Sequence, residues 1–432
     1  MSERPMTNPG GFLETTTSTT ERPRPRVELP QRGPFLFPPP YNTIGIRLTN
    51  ADDMGGADRL RDCGYAYWNN INAHQGQPTL FVMVSIKGLG ACLYEVNKTT
   101  NAVTPHGPLF PAGHPLANET AEGWYWSFTD PDVLYVTNDT ELSRYHVAGR
   151  RLELVVDITP MPVIPVRTDE ILRQWHSSAD DRTHSVTVRA GESRGWQNLG
   201  TLVYREGVPA EATWNYFEKT GPLDESHVDK SGNWLVIKEN IDQRNGEDNR
   251  FIHVPTRTEF QALLDEKGAG GHSDLGYGYM VSCDNWDVFP NSVRLWKLDG
   301  SSPQGLVVYH GLNWDAQINH PAHGNARPGD WNSQYAIGSG ASRVHLPRVN
   351  EILAFPLNGS LQVLVIAPCM TDLDAPGGGG VGPDYDYIKL PKANVCPTGE
   401  FVLWTSNCGG ERLDAFLVRV PGQFLGGAVP PW

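Results

Sequence analysis

The chain has 432 residues, with 45 glycines, 35 prolines and only 19% charged residues, so it is turn-rich and long enough to bury a large core. Its formal net charge of −14 argues against general nucleic-acid binding, because a phosphate backbone would be repelled. No apolar run approaches the roughly 18 residues of a membrane span, and the first residues lack the apolar core of a signal peptide. We therefore expect a soluble protein of unknown location, with the exterior and a larger assembly as the two alternatives.

The first 40 residues are predicted to form an extended N-terminal arm. Residues 13–41 are rich in threonine and proline and contain few apolar residues until their end. A segment of this composition has little apolar surface to bury and adopts an extended conformation. We expect the arm to be held by its own domain, to which it could lend a strand, or by another subunit, in which case it is a clasp for self-assembly or for a partner protein. Residues 41–75 are the better source of a closing strand.

Residues 41–432 are predicted to form an all-β domain, a seven-bladed β-propeller. Runs rich in Val, Leu, Ile, Tyr and Phe alternate with polar residues and are separated by Gly, Pro, Asn and Asp, which is typical of short strands and turns. Seven units of roughly 45 to 60 residues repeat this layout, and such repeats are typical of propeller blades. The clearest units span 227–254 and 394–420. A helical pattern is predicted only at 256–267.

One polar position recurs in these units, seven residues before the first buried strand residue. Trp126 and Asn394 fill it in two units, and a longer loop with His320 and His323 takes its place in another. The inner strands of a propeller converge on one axial channel, so we expect these positions to be neighbours in space. In the remaining four units the position is a histidine: His74, His176, His227 and His272.

A ring of histidines suits both metal binding and acid–base chemistry, because neutral imidazole ligates metals and carries protons near pH 7. The densest stretch is a Gly/Pro-rich loop in which Gln317, His320 and His323 fall within seven residues. Together with His272 of the preceding unit, the loop offers three imidazoles and an amide oxygen, which suits a divalent ion, with manganese, zinc and calcium as the candidates. Alternatively, each histidine only satisfies backbone groups of a blade turn.

The repeats and this loop resemble known families. The sequences HVDKSGNWLVI (227–237) and NVCPTGEFVLWTSN (394–407) resemble the repeats of TolB-like propellers, and the Gln-x-x-His loop with an upstream histidine resembles the metal site of oligogalacturonate lyases. That family has a seven-bladed propeller and a manganese-type site, and it cleaves acidic oligosaccharides by β-elimination. The resemblance implies that His272 and the three loop residues named above are the metal ligands. One spacing differs, since the second loop histidine follows His320 by three residues rather than two.

A lyase reaction of this kind needs three parts. The carboxylate of the sugar must be neutralised, a base must take the proton of the adjacent carbon, and an acid must protonate the leaving oxygen. The candidates are Arg182 or Arg327 beside the metal for the first part, His176 or His227 for the base, and Tyr277 or Tyr279 for the acid. An alternative applies to the polar stretch at 176–185, where Asp180 and Asp181 are expected to bond backbone amides of a turn.

Further residues are candidates for binding the substrate. Trp314 and Trp331 flank the histidine loop and could stack on sugar rings, unless they pack between blades. His74 and Arg327 are expected to face the same pocket, and the glycine-rich segment 375–387 is predicted to be a flexible loop that covers it.

Two functions follow from these candidates. The first is a metal-assisted polysaccharide or oligosaccharide lyase acting on an acidic sugar. The second is a non-catalytic propeller that binds glycans or partner subunits in a surface or virion-like assembly, with the arm as its clasp. Propellers host both classes, so the fold alone does not decide between them.

Overall fold

The computed structural model describes residues 10–22, 27–54, 60–62, 64–117, 123–159, 170–209, 213–244, 247–283, 292–310, 321–323, 328–344 and 346–425. Over these ranges the chain forms seven antiparallel sheets arranged as a seven-bladed β-propeller. The predicted fold class is therefore confirmed. No helix in these ranges is long and apolar enough to cross a membrane.

The strands follow the chain blade by blade. Three strands precede the first blade: β1 (Phe12–Thr15), β2 (Gly33–Leu36) and β3 (Ile44–Arg47). Blade 1 contains β4 (Leu60–Asp62), β5 (Ile71–Asn72), β6 (Thr79–Ile86), β7 (Gly90–Asn97) and β8 (Val103–Pro108), and blade 2 contains β9 (Tyr125–Trp126), β10 (Val133–Asn138), β11 (Glu141–His146) and β12 (Arg151–Asp157). Blade 3 contains β13 (Ile171–Ser177), β14 (Thr183–Arg189), β15 (Asn198–Arg205) and β16 (Trp214–Glu218), and blade 4 contains β17 (Leu223–Val228), β18 (Trp234–Glu239), β19 (Asp248–His253) and β20 (Thr258–Leu263).

The last three blades continue this order. Blade 5 contains β21 (Ser273–Leu275), β22 (Tyr279–Cys283), β23 (Ser292–Lys297) and β24 (Leu306–His310). Blade 6 contains β25 (Tyr335–Ser339), β26 (Glu351–Pro356) and β27 (Gln362–Pro368), and blade 7 contains β28 (Asn394–Val395), β29 (Phe401–Ser406) and β30 (Asp414–Arg419), with helix α1 (Pro383–Lys389) between them. Short 3₁₀ turns lie at Ala51–Met54, Glu192–Arg194, Asp265–Lys267, Trp331–Ser333 and Gly422–Phe424.

Neighbouring blades share buried faces, which explains why so many strands are apolar throughout. In β29, Phe401 and Leu403 pack into a cluster with blade 1, whereas Val402 and Trp404 pack into a cluster with blade 6. Successive side chains of a strand point to opposite faces, so a strand between two blades must be apolar on both. Repetition of this arrangement around the ring produces the repeats seen in the sequence.

The ring is closed by residues from the start of the chain. Strand β3 pairs with β30 of blade 7, Ile46 lying opposite Leu417, and β2 pairs with β3. The closing strand predicted within residues 41–75 is thus confirmed. Strand β1 pairs with β27 of blade 6, Leu13 lying opposite Leu364. The described strands of the N-terminal arm therefore form the outer edges of the last two blades.

Buried ion pairs fix the arm in this position. The carboxylate of Glu14 lies 2.5 Å from Arg22 and 3.1 Å from Arg348, and Arg22 also lies 2.8 Å from Glu351. The hydroxyl of Tyr41 donates to Glu351 at 2.6 Å. We call these five residues the arm network. Charge-assisted hydrogen bonds thus add to the strand pairing that holds this segment.

The helical pattern predicted at 256–267 is wrong. Residues Thr258–Leu263 form β20, the outer strand of blade 4, and a 3₁₀ turn follows at Asp265–Lys267. An outer strand is covered on one side only, and the large side chain of Phe260 is 49% exposed. Pairing with β19 satisfies the backbone hydrogen bonds of this segment, and such tertiary pairing overrides local helical propensity.

The inner strand of blade 1 is interrupted, and this interruption shapes the site. Both β4 and β5 pair with β6, Leu60 opposite Ile86 and Ile71 opposite Val82. Residues 64–70 lie between these two strands and reach across the propeller axis, where they contact blades 3, 4 and 5. Blade 1 thus delivers aromatic side chains to the far side of the axial channel.

Candidate functional site

Rings from three blades stack on one another at the axis. The imidazoles of His176 and His227 are parallel within 27°, with ring centroids 4.1 Å apart. The Tyr67 ring lies 4.3 Å from His227 and 5.4 Å from His176. Tyr67, His176 and His227 are all at most 5% exposed. The prediction that equivalent positions of successive blades become neighbours is confirmed for these two histidines.

A carboxylate and an ammonium complete this group. The Tyr67 hydroxyl donates to Glu225, and Lys238 Nζ lies 2.9 Å from the other oxygen of Glu225. Burial acts to raise the pKa of Glu225, but Lys238 and His227 outweigh it and hold that pKa well below its usual value. Burial and the charge of Glu225 raise the pKa of Tyr67 well above its usual value. Glu225 is therefore ionised and Tyr67 protonated near neutral pH. We call Tyr67, His176, Glu225, His227 and Lys238 the axial cluster.

The two imidazoles keep one nitrogen each without a hydrogen-bond partner. The Nε2 atoms of His176 and His227 are buried and unpaired, although His227 Nε2 lies 3.5 Å from Glu225 without hydrogen-bond geometry. Burial, then repulsion between the protonated forms of the two imidazoles and the charge of Lys230, holds the pKa of His176 well below its usual value, so this ring is neutral. Unsatisfied buried polar atoms are rare in native proteins and frequently belong to functional sites. A neutral imidazole with an unoccupied nitrogen can accept a proton.

A second buried cation lies next to this group. Lys230 donates to the Tyr125 hydroxyl at 3.0 Å, and its Nζ lies 4.8 Å from the Phe128 ring centroid. Tyr125 in turn contacts His176, with 5.8 Å between ring centroids. The positive potential of Lys230 therefore helps to keep His176 neutral.

The aspartates of the 176–185 stretch act as turn anchors. Asp181 accepts the amides of Phe128 at 3.1 Å and Thr129 at 2.9 Å, which ties blade 3 to blade 2. Asp180 accepts the amide of Arg182 at 3.2 Å. The structural interpretation of these two aspartates is confirmed. Arg182 is exposed in this turn, and its predicted role toward the substrate stays a prediction.

His323 and Tyr279, a predicted ligand and a predicted acid, bond to each other. His323 Nδ1 lies 2.8 Å from the carbonyl oxygen of Tyr335 and therefore donates to it, which leaves Nε2 as the acceptor. The Tyr279 hydroxyl lies 2.5 Å from that Nε2. Burial lowers the pKa of His323 to about 3. The tautomer is the one a metal ligand uses, but ligation would require Tyr279 to give up its bond.

The remaining predicted residues are spread around the propeller. His272 is partly exposed, and its ring centroid lies 5.7 Å from that of Tyr65. The Nε2 atom of His74 is buried and unpaired, and burial lowers the pKa of this histidine. Trp331 packs against the core shared by blades 5, 6 and 7. Four predicted residues lie outside the described residues and stay predictions: Trp314, Gln317, His320 and Arg327.

One group of carboxylates in the described ranges has the spacing of a metal site. It consists of Asp242, Asp248 and Asp265 of blade 4, with Asp248 as the first residue of β19 and Asp265 at the start of a 3₁₀ turn. The oxygens of Asp248 accept the amides of Ile241 at 2.7 Å and Asp265 at 2.9 Å, so this carboxylate already has a structural role. The histidine and glutamine set implied by the resemblance is a different group, of which only His272 and His323 are described.

Helix α1 forms where the sequence predicted a flexible loop, which corrects that expectation. Pro383 occupies the first turn, and Arg343 holds Asp386 with 2.5 Å between Nη1 and Oδ2. Lys389 is buried and donates to the carbonyl oxygen of Leu373 at 2.8 Å. Tyr387 projects from the helix, and its hydroxyl is hydrogen-bonded to that of Tyr65. The segment thus reaches the aromatic residues beside His272 as an ordered helix.

The sequence matches no family model and no curated protein. Two solved oligogalacturonate lyases share its fold. The enzyme from Vibrio parahaemolyticus superposes with a TM-score of 0.60 at 11% identity, over 96% of this chain and all 100% of that one. A lyase in complex with manganese superposes with a TM-score of 0.58 at 12% identity, over 97% and 99% of the two chains. At such identities the likeness establishes the propeller fold and leaves the activity to be argued from the site.

Sequence reasoning missed three members of the axial cluster. Glu225 precedes His227 by two residues, and residues two apart in a strand share a face, so the period of β17 could have identified it. Lys238 follows from no comparable signal. Tyr67 reaches the site through the interrupted inner strand of blade 1, and the only hint of it in the sequence is the aromatic run GYAYW at 64–68.

Proposed function

We propose that the protein is a carbohydrate-active enzyme, a lyase that cleaves an acidic oligo- or polysaccharide by β-elimination with the assistance of a divalent metal. One observation carries the proposal: the Nε2 atoms of the neutral His176 and of His227 lie at the axis without a hydrogen-bond partner, beside the protonated Tyr67 and the ionised Glu225. This is a base and an acid within one cluster. The likeness to lyase propellers supports the same class by analogy of fold.

The cluster can account for both proton transfers of an elimination. Nε2 of His227 or His176 takes the proton from the carbon next to the carboxylate, and the electron pair of that C–H bond forms the new C=C bond. The C–O bond to the leaving sugar breaks with its electron pair, and the leaving oxygen takes the hydroxyl proton of Tyr67. Proton return from the imidazolium to Tyr67 restores the cluster. Tyr67 here takes the role first expected of Tyr279 because its ring lies against both imidazoles, and its hydroxyl must release Glu225 before it can protonate the leaving oxygen.

Access to the cluster requires movement of one ring. Tyr67 lies against both imidazoles, and all three side chains are buried. A shift of the Tyr67 ring away from the imidazoles would uncover Nε2 for an acidic sugar. Exclusion of water from this closed cluster would strengthen its electrostatic interactions.

The metal implied by the resemblance, manganese, zinc or calcium, would be held by His272, Gln317, His320 and His323. When bound it supplies positive charge against the carboxylate of the substrate. Within the described residues His272 is accessible, whereas His323 fits the set only if Tyr279 releases its Nε2. Metal content of the purified protein, measured by mass spectrometry for the wild type and His272→Ala, tests the set. A stoichiometric metal that is lost in the variant is the expected result.

The proposed activity is tested by the ultraviolet absorbance of unsaturated uronate products. Polygalacturonate, its oligomers and other uronate polymers are offered to the wild type and to His227→Ala, with added metal. We expect product from at least one polymer and a rate at least about 100-fold lower in the variant, because general-base catalysis contributes that much. His106→Ala, on the outer strand β8, is the matched control and should keep its rate. Absence of unsaturated product from every polymer contradicts the proposal.

A non-catalytic propeller that binds glycans is the second candidate, and one observation favours it. The axial cluster is closed in this structure, so its imidazoles do not face solvent. This function predicts glycan binding without unsaturated product. Strands β1 and β2 do not support a role of the arm as a clasp for another subunit, because both pair within the chain's own propeller.

A further inference from the structure

Two tyrosines and a lysine form a wall beside His272. The hydroxyls of Tyr65 and Tyr387 are hydrogen-bonded, and the Tyr65 ring faces His272 with 5.7 Å between centroids. Lys392 Nζ lies 3.9 Å from the Tyr387 ring centroid and 5.7 Å from that of Tyr65. An ammonium over the faces of two rings is held by their electron density. We call Tyr65, Tyr387 and Lys392 the aromatic wall.

The wall stands on an anchored support. Arg343 bonds Asp386 of α1 at 2.5 Å and Asp374 at 2.6 Å, and buried Lys389 ties the end of the helix to Leu373. A binding surface that is already ordered loses little conformational entropy when the ligand arrives. Tyr387 nevertheless stays 48% exposed. A large aromatic side chain presented to solvent by a fixed helix is suited to contact a ligand.

Backbone conformation marks the same position. Lys392 has a φ of 45°, in the left-handed region that a residue with a Cβ seldom adopts. Such conformations cost free energy and concentrate at binding and catalytic sites, where the surrounding structure holds them. The ammonium of Lys392 lies over the Tyr387 ring of α1, and β28 begins two residues later.

Lys392 is the cation of this wall, whereas burial, together with the carboxylates of Glu225 and Glu247, acts on Tyr65 and raises its pKa. The whole chain carries a formal net charge of −14, so an anionic sugar needs a local cation. Lys392 places one on the aromatic faces. Aromatic rings stack on the apolar face of a sugar, and an ammonium pairs with a carboxylate on its edge.

We propose that Tyr65, Tyr387 and Lys392 form a subsite for one uronate unit of an acidic oligosaccharide, adjacent to His272. The exposed Tyr387 ring packs against the sugar on the side away from Lys392, Tyr65 holds the Tyr387 hydroxyl, and the ammonium of Lys392 binds the carboxylate. The inference rests on the proposed function for its choice of an acidic sugar. It adds to that function the residues that recognise the sugar next to the one that is cleaved.

The test measures binding without turnover. Galacturonic acid has no glycosidic bond to cleave, and galactose is its neutral counterpart, so their dissociation constants are measured by ligand-observed NMR titration. We expect Lys392→Met to weaken galacturonate about five- to tenfold and to leave galactose unchanged, because it removes one charge pair. Tyr387→Ala should weaken both sugars. Tyr385→Ala is the matched control, since Tyr385 is exposed on the same helix.

The outcomes separate this subsite from the lyase proposal. Equal affinity of Lys392→Met and the wild type for galacturonate overturns the subsite, and so does unchanged binding in Tyr387→Ala, provided that circular dichroism shows both variants folded. Recovery of affinity in Lys392→Arg supports the charge assignment if Lys392→Met destabilises the protein. If galacturonate binding depends on the aromatic wall but no polymer yields unsaturated product, the lyase proposal is contradicted and the subsite proposal is supported. If both wall variants form product at an unchanged KM, the subsite proposal is contradicted and the lyase proposal is supported.

Discussion

The arm network and the axial cluster are both buried groups of charged and aromatic residues, but they differ in how completely they are satisfied. In the arm network Arg348 donates hydrogen bonds to Glu14, Tyr309 and two backbone carbonyls, and Arg22 donates to two carboxylates. In the axial cluster the Nε2 atoms of two imidazoles remain unpaired. A fully bonded network fixes a structure, whereas an unpaired buried nitrogen lowers the stability of the fold.

The largest effect on stability is expected where the arm network loses a cation. Arg348→Ala leaves the partly buried Glu14 with one partner fewer; removal of one member of a buried ion pair typically costs about 3 to 5 kcal/mol, and the partial exposure of Glu14 places the expected loss at the lower end of that range. Urea unfolding at pH 7 measures the loss. Arg151→Ala, which removes an exposed pair with Glu153, should change the free energy of unfolding by less than about 1 kcal/mol. Similar small losses in both variants would mean that the arm is held by its strand pairing alone.

Replacement of Lys238 in the axial cluster should lower the free energy of unfolding and should reverse the pH dependence that Glu225 gives to it. The pKa of Glu225 is held low, so its ionised form adds stability above its unfolded pKa, and this stability is lost as the pH falls through the folded pKa. In Lys238→Met burial raises that pKa, so the variant should lose roughly 2 to 4 kcal/mol at pH 7 and recover part of it at pH 4.

Urea unfolding at both pH values tests this reversal. The matched control is Lys98→Met, which removes a weaker pair with Glu400 at 3.8 Å. A Lys238→Met variant whose stability loss is the same at pH 7 and pH 4 would show that Glu225 does not depend on this lysine.

A third prediction concerns the buried histidine His323 and the pH dependence of stability. Burial lowers the pKa of His323 from 6.5 to about 3, so the unfolded chain binds the proton first. Stability from this residue is complete above pH 6.5 and falls by about 1.4 kcal/mol per pH unit below it. His323→Gln should flatten the slope of unfolding free energy between pH 6 and pH 4. An unchanged slope would mean that His323 is protonated in the folded protein.

The sequence predicted what is repeated and missed what is inserted. The strand period and the recurring polar position gave the propeller and brought His176 and His227 together, because each blade repeats the same local geometry. Tyr67 belongs to no repeat, and its position depends on contacts made across the ring. No local pattern encodes such long-range placement.

The sequence at helix α1 contains residues typical of helix ends, but the preceding glycine run led to the prediction of a loop. Pro383 in its first turn, Asp384 and Asp386 near its start and Lys389 near its end follow the preferences of helix termini. The preceding glycine run suggested a flexible loop. The opposite error occurred at β20, where helical spacing was read into a strand, because an outer strand with Phe260 exposed has no clear two-residue period.

The smallest change tests the difference between the two networks most directly. Tyr67→Phe keeps the ring that stacks on His176 and His227 and removes the hydroxyl that donates to Glu225. Loss of a hydrogen bond to a charged group should cost about 1.5 to 3 kcal/mol at most, and Lys238 still pairs with Glu225.

The same variant should lose product formation to a far greater extent than stability, by about 100-fold or more, if Tyr67 supplies the proton of the leaving oxygen. Tyr41→Phe removes the corresponding hydroxyl from the arm network and should lower stability by a similar amount with no effect on rate. Equal rates in Tyr67→Phe and the wild type would show that Tyr67 does not protonate the leaving oxygen. Its role would then be to close the axial channel, and another group would have to supply the proton.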